Sequence, residues 1–129
     1  MEDALQTWMA LDQLYVTLNQ QLEKFLKSNY DLTVSEFMVI TVLNDDTGAG
    51  LTIDQLSKMV NLSHSAVSRL VSRLETCHTV ERRLNETDRR SSLVRLSDQG
   101  RADYQGILPD ITAIIRNGMN KKNISITIS

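Results

Sequence analysis

The chain has 129 residues, which suits one compact domain and leaves little room for two. Hydrophobic residues make up 41%, so a core is available, and the presence of only five glycines and one proline argues against a disordered or all-β chain. The net charge of −2 hides an asymmetry: residues 1–50 carry eight acids against two lysines, whereas residues 51–97 carry eight bases against five acids. A polyanion would therefore meet the middle of the chain.

No apolar run approaches the roughly 20 residues that a bilayer crossing requires. The acidic start Met1-Glu2-Asp3-Ala4 has no signal-peptide pattern, and the single cysteine, Cys77, forms no internal disulfide. These features point to the cytoplasm and away from a membrane.

Taken in chain order, residues 3–27 read as a long helix. Leu11, Leu14, Tyr15, Leu18, Leu22, Phe25 and Leu26 recur at i, i+3, i+4 and i+7 spacing, and Leu5, Trp8 and Met9 extend the stripe. So long a helix, so early in a small chain, suits a dimerisation arm with Trp8 and Met9 as interface residues. A second helix is expected over Val34–Leu43, with Thr33 as N-cap and Glu36 as its capping-box partner. Its buried side is Phe37, Ile40 and Leu43. The run Asp45-Asp46-Thr47-Gly48-Ala49-Gly50 reads as a loop.

A third, short helix starts at the N-cap Thr52, with Gln55 three residues on, and stops at Asn61, a residue that tolerates the left-handed conformation. Ser63 caps a fourth helix reaching about Thr76. Val67, Leu70, Val71 and Leu74 face inward, opposite Ser65, Ser68, Arg69, Ser72 and Arg73. A short helix, a tight turn and a longer helix form a helix-turn-helix. Small hydroxyl side chains let the second helix sit deep in a major groove, and arginines further along can donate to bases and phosphates.

Val80–Leu84 and Ser92–Leu96 are strand-like around the charged stretch Asn85–Ser91, which predicts a β-hairpin wing. Ser97 caps a fifth helix with Tyr104, Ile107, Leu108, Ile111, Ile114 and Ile115 as its stripe. Pro109 is expected to kink or split it, and Asn117-Gly118 to end it. Residues 119–129 carry a strand-like alternation, Ile124, Ile126 and Ile128, but a disordered tail is the favoured expectation.

The run Asp88-Arg89-Arg90-Ser91-Ser92-Leu93-Val94-Arg95-Leu96-Ser97-Asp98-Gln99-Gly100 resembles the wing signature of the MarR family of bacterial regulators. Ala66–Glu75 is similar to that family's recognition helix, Val80-Glu81-Arg82 to the start of its wing, and Leu32–Phe37 to its second-helix entry. The resemblance spans about residues 5–118. It implies a mainly α fold with a small β-hairpin wing: a winged helix-turn-helix lobe at about 33–97, flanked by dimerisation helices at about 3–27 and 98–118.

The resemblance further implies a homodimeric transcriptional regulator, most often a repressor, that reads a pseudo-palindromic operator. The recognition helix would enter the major groove and the wing arginine, Arg90 here, the adjacent minor groove, with Asp88 orienting the wing. The residues expected at double-stranded DNA are Ser63, His64, Ser65, Ser68, Arg69 and Arg73 on the helix, and Asp88, Arg89 and Arg90 on the wing. Release by a small aromatic or anionic effector is a further implication. His78 stands where the family usually carries glycine, so the recognition helix is expected to end differently here.

No Gly-rich phosphate loop, nucleophile elbow or paired catalytic carboxylates stand out, which argues against an enzyme. His64 and His78 lie roughly 21 Å apart along a straight helix, so they cannot chelate one metal, and no cofactor is expected. Cys77 reads as an inert thiol, its neighbour Arg73 offset by Glu75. The competing reading is a winged-helix module that docks on protein without sequence-specific DNA binding.

Overall fold

The computed structural model describes residues 2–88 and 90–122. Its elements are α1 (Glu2–Tyr30), α2 (Val34–Asp45), α3 (Ile53–Val60), α4 (His64–Thr76), β1 (Val80–Leu84), β2 (Ser92–Leu96) and α5 (Asp98–Lys122). They form two compact units, one made of Ser35–Gly106 and the other of the chain up to Val34 together with the chain from Ile107 onward. No helix among the described residues is long and apolar enough to cross a membrane.

In the terminal unit, α1 runs three residues past the expected Lys27. Ser28 and Asn29 do not break it, Asn29 Nδ2 donates to the Phe25 carbonyl, and Tyr30 packs edge-on against Phe25. Asp31, at φ 53°, ends it. Leu14 and Leu26 are buried, whereas Leu5, Trp8, Met9, Tyr15 and Val16 are exposed. The apolar stripe of α1 is thus wider than the part buried among the described residues.

α5 corrects two expectations. It is not split at Pro109 but continues as one helix, because the ring removes only a single N–H donor. It also continues four residues beyond Gly118. That glycine is a packing residue, not a helix stop: a Cβ there would lie 2.6 Å from Leu18 Cδ2 on α1. The missing side chain lets the two helices approach. Residues 119–122, expected in a disordered tail, are therefore helical, and the Ile124–Ile128 alternation lies outside the described residues.

In the central unit, α2, α3, α4 and the hairpin enclose an aliphatic core that includes Val39, Leu43, Leu56, Val67, Val71, Leu74 and Val94. Phe37 and Tyr104 stack within it, ring centroids 5.5 Å apart. α2 extends to Asp45, two residues past the expected Leu43. The hairpin has the predicted limits, with Val80 opposite Leu96 and Leu84 opposite Ser92.

β2 pairs on its other side with Leu51. The two backbone bonds between Leu51 and Val94 measure 2.9 and 2.8 Å. Leu51, between the Asp45–Gly50 stretch and α3, thus ties the start of the helix-turn-helix to the wing. At the other end of the hairpin, Gly100 sits against its base. A Cβ there would fall 2.1 Å from the Thr79 carbonyl oxygen, a backbone atom that cannot step aside.

Candidate nucleic-acid interface

The helix-turn-helix is set by three local devices. Thr52 and Gln55 form a full capping box at the start of α3: the Thr52 hydroxyl accepts from the Gln55 N–H, and Gln55 Oε1 accepts from the Thr52 N–H. Asn61 turns the chain at φ 57°, in the left-handed region. Ser63 then caps α4 by accepting from the Ala66 N–H at 3.1 Å. All three were legible from residue type and spacing.

The far end of α4 is closed by a device that residue type did not announce. His78 adopts φ 63°. Its N–H donates to the Glu75 carbonyl at 3.0 Å, and the Thr79 N–H donates to the Leu74 carbonyl at 2.9 Å. This pair of bonds is the Schellman closure that glycine ordinarily serves. The expectation of a different ending is thus corrected. The helix ends as a glycine would end it, with a histidine carrying the strain, because the chain must reverse at once into β1.

On α4, His64, Ser65 and Arg69 are exposed and Ser68 is half-buried. Arg73 is held from below: its Nη1 donates to Oε2 of Glu36 on α2, and Glu36 is only 1% exposed. Glu36, expected to serve the cap of α2, is a core ion-pair partner. Its sequence position carried the signal, since Glu36, Ile40 and Leu43 share the i, i+4, i+7 spacing of a buried stripe.

The sequence places Arg82 only at the start of the wing. From β1 it reaches α4, donating through Nε to Glu75 at 3.2 Å and through Nη2 to Ser72 at 2.9 Å. The root of the wing is thereby tied to α4. Nearby, Arg83 donates to the Ala49 carbonyl, and Arg95 faces Glu81 across the hairpin, 3.7 Å away.

The wing tip is organised by two Asx turns. Asn85 Oδ1 accepts from the Thr87 N–H, and Asp88 Oδ1 accepts from the Arg90 N–H at 3.0 Å. Ser91 returns the chain by donating to the Asp88 carbonyl, and its Oγ accepts from Asn85 Nδ2. Arg90 leaves this turn with its side chain 94% exposed, 3.6 Å from Asp88. Arg89 lies outside the described residues.

His64 and Ser68 of α4, Thr52 at the start of α3, and Arg82, Asp88 and Arg90 of the wing line one open cleft. The amino-terminal half of α4 and the wing tip thus share one concave surface, lined by hydroxyls and by the guanidinium groups of Arg82 and Arg90 beside the carboxylates of Asp54 and Asp88. Among the described residues, no cluster of His, Cys, Asp and Glu could hold a metal ion. Cys77 is exposed.

Two helices joined at a left-handed asparagine, followed by a strand pair with a basic tip, define a winged helix-turn-helix protein. The MarR family profile matches residues 30–91, which hold the helix-turn-helix and most of the wing. The chain is 29% identical over 108 residues to the HTH-type transcriptional regulator SarZ of Staphylococcus epidermidis, an alignment covering 82% of this chain and 71% of the relative. Its fold is similar to Sco3205 of Streptomyces coelicolor, a MarR family regulator solved in complex with DNA (TM-score 0.82, 19% identity, 94% of this chain and 76% of the other). It is also similar to BpsR of Bordetella bronchiseptica, whose DNA binding is regulated by 6-hydroxynicotinic acid (TM-score 0.75, 21% identity, 88% and 84%). The family match, the sequence relatives and the fold together support assignment to the MarR family of transcriptional regulators.

Proposed function

We propose that this protein is a homodimeric, cytoplasmic repressor that binds a pseudo-palindromic operator in duplex DNA. Ser63, His64, Ser65, Ser68 and Arg69 present α4 to the major groove, and Arg89 and Arg90 carry the wing to the flanking minor groove. Asp88 is a carboxylate and repels phosphate, so its part is to orient Arg90. The observation that carries this reading is the shared cleft: the amino-terminal half of α4 and the exposed Arg90 guanidinium open onto one surface. A groove-inserted arginine needs only a narrow groove of negative potential, so the wing contributes affinity while α4 supplies most of the base code.

The homodimer is supported by the uncovered side of α1. Leu5, Trp8, Met9, Tyr15 and Val16 are large apolar residues in water, and a second copy of the same helix offers the matching surface. Two-fold symmetry in the protein then requires two-fold symmetry in the operator. A small aromatic or anionic effector would release the complex, by analogy with BpsR.

Selection of bound duplexes from a random pool, followed by sequencing, tests the reading. Two inverted half-sites about one helical turn apart are expected. A pool that shows no enrichment at low salt overturns DNA recognition and leaves a protein-docking winged helix.

A further inference from the structure

Arg73 lies on the face of α4 that the sequence assigns to DNA, yet its guanidinium is committed elsewhere. Glu36 is the one buried charged or polar side chain among the described residues, and Arg73 donates to it. At 100° per residue, Arg73 sits about 80° to one side of Ser65 around the helix, and Glu75 about 80° to the other. Glu75 is also engaged, by Arg82, which bonds Ser72 as well. Both flanks of the carboxy-terminal half of α4 are therefore fastened, one to α2 and one to the wing.

A buried carboxylate keeps its charge only at the cost of desolvation, which its ion pair must offset. Drawing Arg73 away to a phosphate would take a guanidinium from a group that water cannot reach. It would gain a contact at the wet edge of the groove, where such pairs are weak. The exchange is unfavourable, so Arg73 stays with Glu36 when DNA binds.

On the basis of the DNA-binding reading above, we propose that Arg73 is a positioning residue, not a DNA contact. Glu36 and Arg73 together set the rotation of α4 on α2, and base reading is confined to His64, Ser65, Ser68 and Arg69. The pair then governs how well the protein tells its operator from other duplexes, without supplying a phosphate contact.

The test compares Arg73→Gln, Glu36→Gln and the double variant with the wild-type chain. Fluorescence anisotropy measures binding to a duplex selected from a random pool and to a scrambled duplex of equal composition, across a salt series. Each single variant should lose about tenfold in affinity for the selected duplex, and the double variant no more than either. The selected-to-scrambled ratio should fall, and the salt slope should stay that of the wild type.

If the Gln variants do not fold, Glu36→Met/Arg73→Met carries the test, since an apolar pair of similar volume tolerates burial. It too should keep the wild-type slope. A slope shallower by about 0.9 wherever Arg73 is replaced would mark a lost phosphate contact and overturn the proposal. So would a Glu36→Gln variant that binds like wild type. Failure of the wild-type chain to bind either duplex would instead bring down the DNA-binding reading itself.

Discussion

The carboxylate of Asp88 accepts the backbone N–H of Arg90 at 3.0 Å, while the Arg90 side chain stays 94% exposed. The aspartate thus fixes where the arginine starts and leaves its guanidinium in water. Asp88→Asn keeps an oxygen acceptor at that position and should bind duplex DNA within about threefold of wild type. Asp88→Ala loses the turn, at about 1 kcal/mol, and should bind five- to tenfold more weakly. Equal binding by the two variants would show that the Asx turn does not act on recognition.

Arg90→Ala should weaken binding to selected and scrambled duplexes alike, because minor-groove insertion reads width and potential more than base identity. Arg69→Ala should instead change which bases are preferred, by about 1–3 kcal/mol at the affected position. Competition titrations with single-base operator variants separate the two. A broad loss from both substitutions would contradict the division of labour.

His78 is held at φ 63°, a conformation that opposes its Cβ. His78→Gly relieves that strain while keeping the two closing hydrogen bonds, and part of the gain is offset by the freer unfolded chain. Chemical denaturation should show stabilisation of about 0.5–1 kcal/mol. A loss of stability would mean that the histidine side chain holds the joint more firmly than the conformation strains it.

Glycines along α5 should respond to alanine with opposite signs. Gly106 has nothing within 4 Å of a built Cβ, so Gly106→Ala should stabilise by about 0.5–1 kcal/mol through helix propensity. At Gly100 the same methyl would strike the Thr79 carbonyl oxygen. Gly100→Ala should destabilise by at least about 2 kcal/mol and reduce DNA binding, since the base of the wing must move. Thermal unfolding followed by circular dichroism reads both.

Charge placed on the uncovered side of α1 should oppose self-association. Trp8→Glu/Tyr15→Glu replaces two large exposed apolar residues and should leave the unfolding midpoint of the isolated chain nearly unchanged. Sedimentation equilibrium should show the variant as a monomer where the wild type is a dimer. Operator affinity should fall with it, because one half-site then binds alone. A variant that still sediments as a dimer would place the interface elsewhere.

Much of this protein is written locally. Thr52 with Gln55, Asn61 and Ser63 specify two helices and the turn between them through bonds spanning three residues or through one dihedral angle. The alternation of Val94 and Leu96 about Arg95 gives the hairpin its inward face, and Asp88 needs only the N–H two residues on. Such signals survive in a one-dimensional reading because their partners are neighbours in the chain.

The rest was decided by contacts across the fold. The sequence places Arg73 on the outer face of α4 but not its bond to Glu36, 37 residues away. Gly118 looked like a helix stop, because its real constraint, Leu18, lies a hundred residues earlier. Arg82 and Leu51 gained their roles only when the wing came against α4 and the start of α3. Periodicity states which side of a helix is buried, but not what lies against it. A side chain that is free or committed is distinguished by its tertiary partner: Arg73 is bonded to a buried glutamate, whereas the Arg90 side chain stays 94% exposed.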